Sequence, residues 1–246
     1  MSLPSTEGML ISIVVPAYNE QEVLPEFHHR IEAVLDSLPF HSEVLYVNDG
    51  STDATLQVLQ SLRERDDRIT IVDLSRNFGK EIALTAGLNK AEGAAVIVID
   101  ADLQDPPEII PSLLEEWKKG YDVVYAQRLQ RSGESFLKKA TARLFYRLMQ
   151  RMGRVKIPED TGDFRLLSRR AVDALNTLNE QHRFMKGLFT WIGYAQKAVP
   201  YNRDPRSAGQ TKWNYWGLLN LAIEGITSFT TAPLRFAAFV GFMTAI

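Results

Sequence analysis

Through the first half of the chain, short apolar runs rich in β-branched residues alternate with stretches of helical period. Residues 11–15, 44–48, 69–72, 94–99 and 122–126 read as strands. The first four are followed by helical patterns at 22–38, 54–65, 80–90 and 108–118. This alternation predicts βαβ units and an α/β fold with a mainly parallel central sheet. The strand runs are almost continuously apolar, as expected where helices cover both faces.

After Gln127 the pattern loosens, with no internal repeat or low-complexity stretch to mark a boundary. Residues 135–154 read as a basic amphipathic helix, with Lys139, Arg143, Arg147 and Arg151 on one face and Leu137, Leu144, Leu148 and Met152 on another. Such a face is either a solvated surface or a match for anionic lipid or phosphate.

With 246 residues and 45% hydrophobic content, the chain can bury a sizeable core, and one large domain is the default. A formal net charge of -2 gives no global attraction to nucleic acid, so no nucleic-acid partner is expected. Cysteine is absent, which excludes disulfides, thiol nucleophiles and thiolate-bound zinc and leaves oxygen or imidazole as metal ligands. Residues 1–8 are polar and read as a flexible N-terminus without a secretory signal. From Phe236 to Ile246 there is no charge. That run is shorter than the roughly 20 apolar residues of a spanning helix, so it reads as a core helix, an interfacial helix or the first part of a transmembrane segment.

In an open α/β sheet, ligands bind beyond the carboxyl ends of the strands. The predicted strands end in Pro16-Ala17-Tyr18-Asn19-Glu20, in Asn48-Asp49-Gly50-Ser51-Thr52-Asp53 and in Asp100-Ala101-Asp102-Leu103-Gln104-Asp105. Two carboxylates at an Asp-x-Asp repel each other, and a hard divalent cation relieves that repulsion; Asp102 and Gln104, alternating along an extended segment, would face the same way. Asp105, just before Pro106 and Pro107, reads instead as a helix cap. The Asp49–Asp53 stretch reads either as a capped turn or, through Asp49, as a hydrogen-bond acceptor for a base or ribose. No glycine-rich phosphate loop is present.

These three segments, in this order, resemble the family 2 inverting glycosyltransferases of the nucleotide-diphosphosugar (GT-A, Rossmann-like) fold. Leu74-Ser75-Arg76-Asn77-Phe78-Gly79-Lys80-Glu81 and Thr161-Gly162-Asp163-Phe164-Arg165-Leu166-Leu167-Ser168 are similar to segments of the polyprenyl-phosphate glycosyltransferases, closest to the bacterial bactoprenol glucosyltransferase branch beside the dolichol-phosphate mannose synthases. The resemblance covers nearly the whole chain. It implies a catalytic domain over residues 9–215, amphipathic interface helices, and a juxtamembrane helix leading into a first transmembrane helix over 216–246.

For the site, the resemblance implies that Pro16, Ala17, Tyr18, Asn19, Glu20, Asp49, Lys80, Asp100, Ala101 and Asp102 line the nucleotide. Arg206 and Lys212 would reach the diphosphate from a closing loop. Asp100, Asp102 and Gln104 would hold Mg²⁺ or Mn²⁺. Arg128, Arg131, Lys138 and Arg165 would hold an acceptor phosphate, while Asp163 is either a catalytic base or the carboxylate that orients Arg165. The implied reaction moves a sugar, glucose from UDP-glucose first, onto a polyprenyl phosphate such as undecaprenyl phosphate. Use of GDP-mannose, a hexosamine or a modified pentose is the alternative. The enzyme would sit on a membrane surface with its catalytic domain in the cytosol, alone or as a homo-oligomer. A processive polysaccharide synthase is disfavoured because Gln-x-x-Arg-Trp is missing and Gln181-His182-Arg183-Phe184 is only a loose echo. An inactive docking module is disfavoured by the intact Asp100, Asp102 and Gln104.

Overall fold

The computed structural model describes residues 8–129, 161–178, 185–202, 238 and 241–244. The chain divides into a unit of residues 1–130, 160–179 and 192–209, and a second of 131–159, 180–191 and 210–246. The described strands are β1 (Leu10–Ala17), β2 (His41–Asn48), β3 (Ile69–Asp73), β4 (Ala95–Val98), β5 (Val123–Arg128), β6 (Thr161–Ser168) and β7 (Gln196–Tyr201). The helices are α1 (Leu24–Asp36), α2 (Thr55–Arg63), α3 (Lys80–Lys90), α4 (Ile110–Lys118), α5 (Arg169–Asn176) and, in the second unit, α6 (Met185–Trp191).

All seven strands form one sheet in the order β3-β2-β1-β4-β6-β5-β7. Only β6 runs against its neighbours; the other pairings are parallel. The parallel strands therefore end at one rim, and the reversed β6 begins there, with Val98 of β4 opposite Arg165. This single reversal delivers Thr161, Gly162 and Asp163 to the edge where the Asp-x-Asp segment leaves β4.

Alternate β1 side chains explain the two covering layers. Ile11, Ile13 and Val15 are fully buried in one cluster with Leu24, Phe27 and Ile31 of α1 and Leu113, Leu114 and Trp117 of α4. On the other face, Val14 and Val47 pack directly beneath α3 at Gly87. Each large aliphatic side chain removed from water in this way contributes about 1.5–3 kcal/mol. The buried positions of α1 recur every three or four residues, and Pro25 sits in its first turn, where a missing amide hydrogen has no helical partner to lose.

The five strands and four helices anticipated from the hydrophobic pattern are all present with ends shifted by a few residues, and α3 begins and ends where its pattern does. The pattern did not reveal β6, β7, α5 or α6. A short turn of 3-10 helix at Pro107–Ile109 precedes α4 with Pro106 as its cap and no capping side chain. The expected capping role of Asp105 is thereby corrected: the residue is 1% exposed and bonds elsewhere, as described below.

The basic amphipathic helix of residues 135–154 and the closing loop lie outside the described residues. Most of 216–246 does too; Gly241–Thr244 is helical, with Phe242 and Met243 exposed. Among the described residues no helix is long and apolar enough to cross a membrane. The expected start of a transmembrane helix has no support there.

Candidate active site

The rim is built by loops that hold one another. Asn19, whose backbone is left-handed (φ 54°), accepts the Thr52 amide on its side-chain oxygen at 2.8 Å, while its own amide donates to the Ser51 hydroxyl at 3.0 Å. The Glu20 amide donates to Thr55 Oγ1 at 2.8 Å, and Asp53 accepts the Thr55 amide at 3.0 Å. These bonds fasten the end of β1 to the loop after β2. Pro16, Tyr18 and Asn19 are half-buried there, and Ala17 is buried.

Asp49 fastens the next loop. It is 3% exposed, and its two oxygens accept the amides of Phe78 at 2.8 Å and Gly79 at 2.9 Å. The carboxylate expected to meet a base or ribose thus faces the protein's own backbone and sets where α3 starts. The same loops meet at Gly50, where a Cβ would stand 2.2 Å from the Arg76 carbonyl carbon. Beside it the Arg76 guanidinium lies 3.9 Å from the centre of the Phe78 ring, which is 41% exposed.

Because Asp49 fixes Gly79, the next residue, Lys80, projects from the first turn of α3 to the centre of the rim. Its Nζ lies 2.6 Å from Asp100 Oδ1 and 2.5 Å from Asp163 Oδ2. One ammonium therefore joins the end of β4 to the start of β6. Burial alone would lower the Lys80 pKa, but Asp100 and Asp163 outweigh it and hold the ammonium above its ordinary value. Burial raises the Asp100 carboxyl; Lys80 opposes this, and the charges of Asp163 and Asp102 reinforce it.

The segment after β4 is a sequence of turns and bends, with Leu103 left-handed (φ 58°) and the Asp102 carboxylate accepting the Gln104 amide at 3.1 Å. The premise of an extended strand is corrected. Side chains still alternate: Asp100, Asp102 and Gln104 are half-buried, and Ala101, Leu103 and Asp105 are buried. Leu103 turns inward because its backbone is reversed, not because of strand pleating.

Asp105, Tyr201 and Arg128 form a second knot. The Tyr201 hydroxyl donates to Asp105, Arg128 Nε donates to the Tyr201 oxygen at 3.2 Å, and Arg128 Nη2 lies 3.6 Å from Asp105. A Cβ at Gly162 would stand 2.9 Å from that guanidinium, so the absent side chain makes room for it. Arg165 is 4% exposed and donates to the carbonyl oxygens of Gly162 at 2.7 Å and Asp163 at 3.3 Å. Burial pushes its pKa down to about 10. Its cation supports the start of β6 from inside, a placement that sets it apart from the more open Arg128.

Lys80, Asp100, Asp102, Asp163 and Arg128 are thus gathered at one rim, while Arg131, Lys138, Arg206 and Lys212 lie outside the described residues. Tyr201 and Asp105 were not anticipated as partners; no sequence signal joins residues 96 positions apart. No group of three or more His, Asp or Glu side chains among the described residues forms a metal cage. Asp100 and Asp163 share the Lys80 ammonium, and Asp102 follows two residues after Asp100 at the same rim; a hard divalent ion takes one or two such carboxylates and completes its shell with water and phosphate.

The family model described as glycosyl transferase family 2 matches residues 12–175. An uncharacterized glycosyltransferase of Synechocystis is 52% identical over 231 residues, covering 94% of this chain and 73% of the relative. The bactoprenol glucosyl transferase of Shigella phage SfV is 46% identical over 237 residues, covering 96% of this chain and 77% of the relative. A solved glucosyl-3-phosphoglycerate synthase from Mycobacterium tuberculosis, in complex with Mn²⁺, UDP and phosphoglyceric acid, superposes with a TM-score of 0.62 at 21% identity, over 89% of this chain and 76% of that one. At that identity the likeness is one of fold.

Proposed function

Because this chain belongs to glycosyl transferase family 2, we propose that it transfers a hexose, glucose from UDP-glucose, to a polyprenyl phosphate at the cytosolic face of a membrane. The observation that carries this reading is the 46% identity to a bactoprenol glucosyl transferase across 96% of the chain, a span that includes every rim segment. The family together with the glucosyl transferase relative supports a hexosyltransferase enzyme, and the Asp100 and Asp102 carboxylates at the rim agree with a donor that arrives with a cation.

Asp100, Asp102 and Gln104 are the residues that would hold Mg²⁺ or Mn²⁺, which supplies Lewis-acid stabilisation of the departing diphosphate. Pro16, Ala17, Tyr18, Asn19 and Glu20 form the wall for the nucleoside, and Asp49 supports that wall by fixing the loop before α3. An acceptor phosphate oxygen attacks the anomeric carbon from the face opposite the leaving group. The new carbon–oxygen bond forms as the bond to the diphosphate breaks, and the electron pair leaves with UDP, inverting the centre.

A phosphate monoester is already largely ionised near neutral pH, so the step calls for positioning more than proton removal. Arg128, locked by Tyr201 and Asp105, is suited to receive that phosphate as a charge-assisted donor. Asp163 anchors Lys80 and needs no proton to do so. Arg131, Lys138, Arg206 and Lys212 complete the proposed phosphate contacts. The basic face of residues 135–154 and the apolar end of the chain are the proposed membrane-facing parts.

The test is incubation of the protein in membranes with labelled UDP-glucose, undecaprenyl phosphate and Mg²⁺, with GDP-mannose in parallel. Label in the organic phase from UDP-glucose supports the proposal. Label only from GDP-mannose, or none, rejects the stated donor.

A further inference from the structure

Lys80 stands where it can compete with a metal ion. Its ammonium contacts both oxygens of Asp100, at 2.6 Å and 2.7 Å, and one oxygen of Asp163 at 2.5 Å. Asp100 is one of the carboxylates assigned to the ion, so ammonium and ion call on the same oxygens. The Lys80 backbone cannot retreat, because the preceding Gly79 amide is held by the buried Asp49 carboxylate at 2.9 Å. The side chain itself is 40% exposed and can swing on its flexible stem.

Resting on the nucleotide-sugar reading above, we propose that Lys80 is a built-in counter-ion that holds Asp100 against the divalent cation until a nucleoside diphosphate arrives, and that its ammonium then transfers to the diphosphate. The consequence is obligatory pairing of the two ligands. Without nucleotide, an ion must displace a positive charge already salt-bridged to its ligand. With nucleotide, the diphosphate oxygens offer the ammonium an equivalent partner, and Asp100 becomes accessible. Coupling of this kind is reciprocal, so the ion must strengthen nucleotide binding by the same factor. Asp163 keeps the displaced side chain from leaving the site.

The experiment measures free Mn²⁺ by electron paramagnetic resonance during titration of the protein, with and without UDP, for the wild type, Lys80→Gln and Lys80→Arg. For the wild type, UDP is expected to raise Mn²⁺ affinity at least tenfold. Lys80→Gln is expected to bind Mn²⁺ alone at least tenfold more tightly than the wild type while binding UDP more weakly. Lys80→Arg, which keeps the charge, should resemble the wild type. Mn²⁺ affinity that is the same with and without UDP in the wild type overturns the proposal without recourse to any variant. So does a folded Lys80→Gln with unchanged or weaker Mn²⁺ binding. If neither protein binds Mn²⁺ even with UDP, the metal-dependent reading itself fails and takes this inference with it.

Discussion

Tyr201, the last residue of β7, donates its hydroxyl to the buried carboxylate of Asp105 in the turn after β4. The bond spans 96 positions of sequence and places the Arg128 guanidinium over Gly162. Tyr201→Phe deletes one donor without opening a cavity. It should raise the KM for polyprenyl phosphate about 5–30-fold, as expected for roughly 1–2 kcal/mol of lost positioning, and leave the KM for the nucleotide sugar nearly unchanged. Steady-state kinetics with each substrate varied in turn checks this, and an equal rise in both KM values would speak for general loosening.

Asp102→Asn removes a charge from the segment proposed to hold the metal while keeping its shape. Transfer should fall roughly 10²–10³-fold, the usual scale for losing one electrostatic contact to developing charge. Far-UV circular dichroism and the melting temperature should hold, since the residue is half-buried and lies in a turn. Turnover within about threefold of the wild type would remove Asp102 from the mechanism.

Gly50→Ala tests the junction of the two nucleotide-side loops. The residue has φ 61°, and the added Cβ would overlap backbone atoms of Arg76 and Asn77 at 2.2–2.6 Å. Backbone cannot yield as a flexible side chain can, so the variant should lose about 2–4 kcal/mol of stability and bind UDP more weakly. Denaturant unfolding and UDP titration measure the two effects, and wild-type values in both would show that the loops part freely.

Acid sensitivity should come from a buried cluster away from the rim. His28 is 5% exposed, with Nδ1 3.0 Å from the Tyr46 hydroxyl and Nε2 3.4 Å from Asp66. Burial lowers its pKa below 6.5, although Asp66 and Glu32 pull the other way; Arg68 and His29 add to the lowering. The unfolded chain therefore binds the proton first as pH falls. Stability should decline as pH drops from 6.5 through the lowered value, with a slope of at most about 1.4 kcal/mol per pH unit, the limit for uptake of one proton. Above 6.5 this contribution is flat. His28→Gln should flatten the slope between about pH 7 and 5 in urea unfolding curves. An undiminished slope would place the sensitivity elsewhere.

The parallel half of the sheet was legible because its strands are apolar on both faces and each leads into a helix of clear period. β6 was not, because Thr161, Asp163, Arg165 and Ser168 break any apolar run, yet each is less than 9% exposed; Asp163 holds Lys80, Arg165 donates to the Gly162 carbonyl oxygen, and Ser168, at the far end of the strand, donates to Asp122. β7 is an edge strand with Lys197 and Pro200 in it, too mixed to stand out. In the site, Asp100, Asp102 and Lys80 could be named from their motifs. The bridge from Lys80 to Asp163 could not, since it depends on β6 entering the sheet backwards. Asp105 was misread because proline follows it, and nothing in its local sequence pointed to Tyr201.

A crystal soaked with UDP and MnCl₂ tests most directly whether Asp100 and Asp102 grip a divalent ion against the donor's diphosphate. Anomalous diffraction should place one Mn²⁺ between the Asp102 carboxylate and the diphosphate, with Lys80 moved from Asp100 onto a phosphate oxygen. Bound UDP with no anomalous peak at that segment, and Lys80 still paired with Asp100, would contradict the account.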